Sequence, residues 1–226
     1  MDFFKLVKSL DDLVFEILSW LYFYPRTLLR VLFRPYPLMA DTAKQMEEDD
    51  EPAFGDRIGP PLFLALTLGL LHLVELAIDP ETAANSFGNE AVAAFMADDK
   101  NLLGFRIILY GILPLLAASR QLAKQQVPIQ KSTLKTPFYA QCYAAAGFAV
   151  ITNGSIFAMR LAAKDDPTIL LVVVFGALAA YLWLGWVEAR WFHRVLACSR
   201  LRAFGHALVL LAMWSVLAVG AMIAIG

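Results

Sequence analysis

Four polar residues lie inside long apolar stretches of this chain: His72 and Glu75 in one, Arg106 in the next and Asn153 in a third. An ionisable side chain in hydrocarbon is costly unless it pairs or meets water, so each of these groups demands a partner. His72 and Glu75 are three residues apart and share a helical face. At about 1.5 Å per helical residue, the four positions fall at one depth, in the outer part of a bilayer. The expected arrangement is a Glu75–Arg106 ion pair, with His72 one turn deeper and Asn153 as a further hydrogen-bonding group. Such a layer has two uses. It can clamp the register of three helices, or it can form a solute, ion or proton site open to the outer side; the clamp needs fewer assumptions and is preferred.

Other residues with chemical potential lack the company that chemistry requires. A metal at His72-x-x-Glu75 needs further His, Cys or carboxylate ligands at the same depth, and none is evident, so no metal and no cofactor are expected. Asn153-Gly-Ser155 spells a glycosylation acceptor but falls inside an apolar stretch. Cys142 and Cys198 map to the same half of the chain's membrane layout, have no paired spacing and read as reduced thiols, Cys142 as a packing residue. Glu188 lies near Arg190 and is expected to form an interfacial ion pair with it. No phosphate loop or nucleophile motif occurs, and the expectation is a protein that is not an enzyme.

The elements that must position the polar layer are five apolar stretches, about 58–78, 101–119, 137–159, 168–187 and 207–225, each near the length of about 20 residues that crosses a bilayer. Backbone in lipid must satisfy its own amides and carbonyls, so the predicted fold class is all-α: a polytopic bundle of five transmembrane helices over 58–226, preceded by cytoplasmic amphipathic helices. Composition agrees, because 59% hydrophobic and 17% charged residues among 226 is too apolar for an ordinary soluble domain. The balanced net charge of −1 argues against nucleic acid as a partner.

Loop charges predict orientation. Arg120, Lys124, Lys131 and Lys135 between the second and third stretches, and Arg190, Arg194, Arg200 and Arg202 between the fourth and fifth, stand without acidic residues and should be cytoplasmic. The segment with Asp79, Glu81, Glu90, Asp98 and Asp99 should face outward. Five spans then put the N-terminus inside and the C-terminus outside. Trp183, Trp186 and Trp191 suit the inner headgroup boundary, whereas Trp214 falls within a span, facing lipid or another helix. Pro114 is expected to kink the second span, with Gly111 easing the bend. Ala140, Ala144, Ala145, Ala146, Gly147 and Ala149, and the pair Gly176 and Ala180, allow close helix approach within the chain or in a homo-oligomer.

Residues 1–37 read as two interfacial helices. The first carries Phe3, Val7, Leu10, Val14, Ile17 and Leu21 on one face and is expected to end before Pro25, which lacks an amide hydrogen. No cleavable signal is evident, so this segment is expected to remain in the mature protein. The second runs from Arg26 to Arg34, where Arg26, Arg30 and Arg34 form a cationic stripe suited to anionic lipid or to a partner membrane protein. Residues 38–57, with Glu47, Glu48, Asp49, Asp50 and Glu51, read as a solvated acidic linker.

The segment Tyr24-Pro25-Arg26-Thr27-Leu28-Leu29-Arg30-Val31-Leu32-Phe33-Arg34-Pro35, followed by Gly59-Pro60-Pro61 and five spans, resembles the bacterial membrane proteins grouped with the Yip1 family. The resemblance implies a bacterial inner-membrane protein without catalytic activity, with a membrane-organising, accessory or scaffold role exerted through the N-terminal helices. The competing expectation is a permease or channel whose outward-facing site is formed by His72, Glu75, Arg106 and Asn153.

Overall fold

The computed structural model describes residues 3–48, 54–78, 98–161 and 168–225, and among them every element is helical. In chain order the helices are α1 (Phe3–Phe33), α2 (Pro35–Glu48), α3 (Pro60–Ile78), α4 (Asp99–Gln125), α5 (Lys131–Leu161), α6 (Thr168–Val195) and α7 (Arg200–Ile225). Four are long and apolar enough to cross a membrane: α3, α4 from Lys100, α6 from Leu170 and α7 as far as Ala221. Their outward sides remain open, with Leu73, Ile108, Leu170, Phe175, Leu182 and Val216 among the exposed apolar residues. The expected outer residues Asp79, Glu81 and Glu90 lie outside the described residues, as do Asp49, Asp50 and Glu51.

The central helix is α5. It packs on α1, α2, α3, α4 and α6, and Ala140, Ala144, Ala145, Ala146 and Ala149 are fully buried. With 31 residues it is long enough to span, but it is less uniformly apolar than the other four. A helix walled by protein can carry Gln141, Asn153 and Ser155, because neighbouring helices supply their partners. Its small residues bring the neighbours close. A Cβ added at Gly147 would stand 2.9 Å from Val31 Cγ1 and 3.0 Å from Trp183 Cζ2, and one added at Gly176 would run into Ser155. Trp214 faces other helices rather than lipid: it closes an aromatic cluster with Tyr110, Phe148 and Tyr181, and its ring centroid lies 5.1 Å from that of Phe148. Helix α4 runs unbroken through Pro114.

The N-terminal region departs from the expectation in two places. Helix α1 does not end before Pro25 but continues through it to Phe33. The missing Pro25 amide leaves the Leu21 carbonyl without its helical donor. That turn is exposed, and tertiary contacts hold the second half of the helix. Tyr24 donates to Thr67 Oγ1 (3.2 Å), Thr27 Oγ1 accepts from the Ile58 amide (3.4 Å), and Trp183 Nε1 donates to the Leu32 carbonyl (3.1 Å). Second, residues 38–48 are not a solvated tether. Pro35 occupies the first position of α2, where a missing amide hydrogen costs nothing, and Leu38, Met39, Thr42 and Met46 form a buried stripe facing α5. Acidic composition at 47–51 obscured that i, i+4, i+8 pattern.

The rest of the supposed linker ties α1 and α2 to the start of α3. The Arg57 side chain is 3% exposed; its Nη1 lies 2.6 Å from Asp41 Oδ2 and its Nη2 donates to Gln45 Oε1 at 3.0 Å. Tyr143 donates to the Ile58 carbonyl at 2.6 Å. Arg30 donates to Asp56 at 2.7 Å, and that hydrogen bond, with Arg57 close by, holds the Asp56 carboxyl below the usual carboxylate range. Because the folded-state value lies below the unfolded value of about 4, the stabilisation is complete above that pH and is lost as the pH falls through the lower folded-state value. Asp56 is half-exposed, so the contribution is small, about 0.2–1 kcal/mol. Asp56→Asn should therefore lower the thermal midpoint in micelles slightly at pH 7, and the difference from the parent protein should vanish near pH 2. A gap that stays constant over that range would mean that the charge on Asp56 is irrelevant.

Candidate functional site

The polar layer forms near one end of the bundle, where α3 finishes, α4 begins and α5 approaches its last turns. Glu75 stands three residues before the end of α3, and Arg106 seven residues into α4. Their side chains form an ion pair, Arg106 Nη2 to Glu75 Oε2, with Glu75 5% and Arg106 19% exposed. His72, one turn earlier in α3, is buried on the same face. Asn153 belongs to the same region but reaches a different partner: its Nδ2 donates to the Tyr110 hydroxyl (3.2 Å) and to the Ala149 carbonyl (2.8 Å). Tyr110 lies one turn beyond Arg106 on α4, so it links Asn153 to the ion pair through the α4 face. Sequence reasoning missed Tyr110, because a tyrosine in an apolar stretch carries no charge and resembles a packing residue.

These contacts join α3 to α4 and α4 to α5, so the layer ties three helices at one depth. Among the described residues, no three His, Cys, Asp or Glu side chains are grouped to hold a metal. Cavities open elsewhere, beside the basic end of α6 and α7, between Arg34, Asp41 and Asp56, beside α1 at Phe15 and Trp20, and between Leu115 and Tyr139.

A second polar set occupies the opposite end. Glu188 is 1% exposed and accepts from Gln141 Nε2 at 3.1 Å, correcting the expected pair with Arg190. Residues two apart on a helix point in different directions; Glu188 turns into the bundle, and Arg190 lies over the rings of Tyr36 and Trp186. Trp191 Nε1 donates to Gln121 Oε1 (2.9 Å), Arg120 donates to His206 Nδ1 (3.0 Å) and Gln125 Nε2 to the Val195 carbonyl (3.1 Å). The basic α4–α5 and α6–α7 turns therefore share one end of the molecule. Tyr36, at the start of α2, packs against Trp191 there. Cys142 is buried and Cys198 half-buried, and both are free thiols.

The cationic stripe is divided. Arg30 is committed to Asp56, whereas Arg26 and Arg34 are exposed. The apolar face of α1 is turned away from the bundle: Val14, Phe15, Ile17, Leu18, Leu21, Tyr22, Leu29 and Phe33 are all exposed. At 100° per residue they occupy one arc of about 160°, with Arg26 and Arg30 along its rim. Trp20, Phe23 and Tyr24 pack against the core from the other side, joined by the fully buried Val31, and Leu28 packs against it from the margin of the arc.

In comparisons with known proteins, no protein-family model, curated protein or solved structure matches this chain.

Proposed function

We propose that this chain is a non-enzymatic, five-span protein of a bacterial inner membrane, with an organising or accessory role exerted at the cytoplasmic surface through α1. The observation that carries the reading is the apolar arc of α1, in which Phe15, Leu21 and Phe33 are at least 75% exposed although the same helix is docked by its opposite face. An apolar arc rimmed by arginine suits the headgroup boundary, where the rings and aliphatic chains enter the acyl region and guanidinium groups meet phosphates. With α5 as the fifth span, all eight basic residues of the two turns lie on the α1 side, in agreement with a cytoplasmic N-terminus and an outer C-terminus. The resemblance of residues 24–35 and the Gly59-Pro60-Pro61 entry to the Yip1 proteins supports the same role. The polar layer then acts as a clamp between α3, α4 and α5.

The test places a nitroxide at position 18 or 21, after Leu18→Cys or Leu21→Cys in a Cys198→Ser background, in vesicles containing phosphatidylglycerol. Collision with dissolved oxygen should dominate at both positions, and collision with a water-soluble nickel reagent at position 16. Nickel access dominating at 18 and 21 would remove the support for membrane contact. A permease is the second reading, favoured by the partial exposure of the Arg106 side chain (19%). Ion or solute flux in proteoliposomes that is abolished by Glu75→Gln would replace the first reading with this one.

A further inference from the structure

The last three turns of α6 carry Trp186, Ala189, Arg190, His193 and Arg194 on one side, while Val187, Glu188, Trp191 and Phe192 on the other side are buried in the bundle. The connection to α7 is tight. Ala197 adopts a left-handed conformation (φ 46°), and His193 Nδ1 donates to the Cys198 carbonyl at 2.6 Å. The chain is thereby folded back so that Arg200 and Phe204 of α7 face the same space. The result is a cavity of about 550 Å³ whose lining holds three arginines, one histidine and two aromatic rings, and no carboxylate.

The arginines are arranged before any ligand arrives. Arg190 and Arg194 both lie over the Tyr36 ring, at 5.1 and 5.7 Å from its centroid, and Arg190 is also 5.8 Å from the Trp186 centroid. Stacking occupies the face of a guanidinium and leaves its N–H edge available, in a fork that matches phosphate oxygens. Two cations sharing one ring repel each other, and among the described residues no carboxylate forms an ion pair with Arg190, Arg194 or Arg200. An anion in the cavity relieves that repulsion. Apolar surface adjoins the charge: Trp186 and Phe204 are each 50% exposed, with Leu182 (64%) one turn into the apolar belt. A ligand with an anionic phosphate head and an acyl tail fits both parts.

We propose that this cavity, at the basic end of α6 and α7, binds the phosphate headgroup of an anionic phospholipid. It is separate from α1 and its apolar arc, and it stands whether or not α1 enters the membrane.

Full-length protein purified in a neutral detergent and stripped of lipid would be titrated by native mass spectrometry with dioleoyl phosphatidylglycerol, with dioleoyl phosphatidylcholine and with inorganic phosphate alone. Phosphatidylglycerol should bind at least about tenfold more tightly than phosphatidylcholine, and Arg190→Gln/Arg194→Gln should remove that preference. Because those two arginines also hold Tyr36 of α2, Arg200→Gln provides a second variant that spares the stack and should weaken binding several-fold. Arg202→Gln/Lys131→Gln removes the same charge outside the cavity and should leave binding unchanged. Equal affinity for the two lipids, or an equal loss in this control, overturns the proposal. Inorganic phosphate binding as tightly as phosphatidylglycerol and depending on the same arginines also overturns it, since the site would then be one for free phosphate.

Discussion

Arg106→Met is expected to destabilise the bundle by about 3–5 kcal/mol, because it removes the guanidinium that neutralises the Glu75 carboxylate in a setting with almost no access to water. Glu75 is 5% exposed and its ion-pair partner comes from the neighbouring helix. The reciprocal change, Glu75→Leu, should cost less. Arg106 is 19% exposed near the start of α4, and its flexible stem can carry the guanidinium outward to the headgroups. The double variant, Arg106→Met/Glu75→Leu, leaves no charge behind and should be more stable than Arg106→Met alone. Unfolding in mixed micelles titrated with denaturing detergent gives all three values. A double variant that loses the sum of the two single losses would show that the two side chains are not coupled and would remove the clamp.

Gly147→Leu should produce a loss of similar size by a different route. Adding even a methyl group to a filled interior costs about 1–3 kcal/mol, and a leucine here adds four carbons. The new Cβ would stand 2.9 Å from Val31 Cγ1 and overlap the Trp183 indole. Trp183 is also pinned by its bond to the Leu32 carbonyl at 3.1 Å, so the side chain has little room to turn away. The element most easily displaced is α1, which holds to α5 through few contacts besides Val31. The expected result is a lower thermal midpoint together with protease cleavage within residues 14–33. Gly154→Leu is the comparison: a Cβ there meets no neighbouring atom within 4 Å, and both readouts should match the parent protein. If the two variants behave alike, Gly147 is not the point of close approach between α1, α5 and α6.

The partners of single residues show where reading from sequence worked and where it stopped. Glu75 and Arg106 were legible because a charge in an apolar stretch requires a counter-charge, and few others were at hand. Glu188 was misread because Arg190 is its neighbour in sequence, while the group it meets, Gln141, is on another helix and uncharged. Helix α2 was hidden by the acidic run that follows it. The continuation of α1 past Pro25 depends on Thr27, Val31 and the Leu32 carbonyl meeting Ile58, α5 and α6, and local propensity contains nothing of those contacts.

By itself the sequence determined the class of this protein: long apolar runs can shelter their backbone from lipid only as helices, and this follows from length and composition without any tertiary contact. Only the tertiary structure decided that α5 is the centre, that α1 docks by one face and leaves its apolar arc open, and that three arginines from two helices border one cavity. The reason is physical. In hydrocarbon, leucine gains little by exchanging lipid for another helix, so the apolar pattern does not record which face of a span meets protein; close fit and buried polar pairs make that choice.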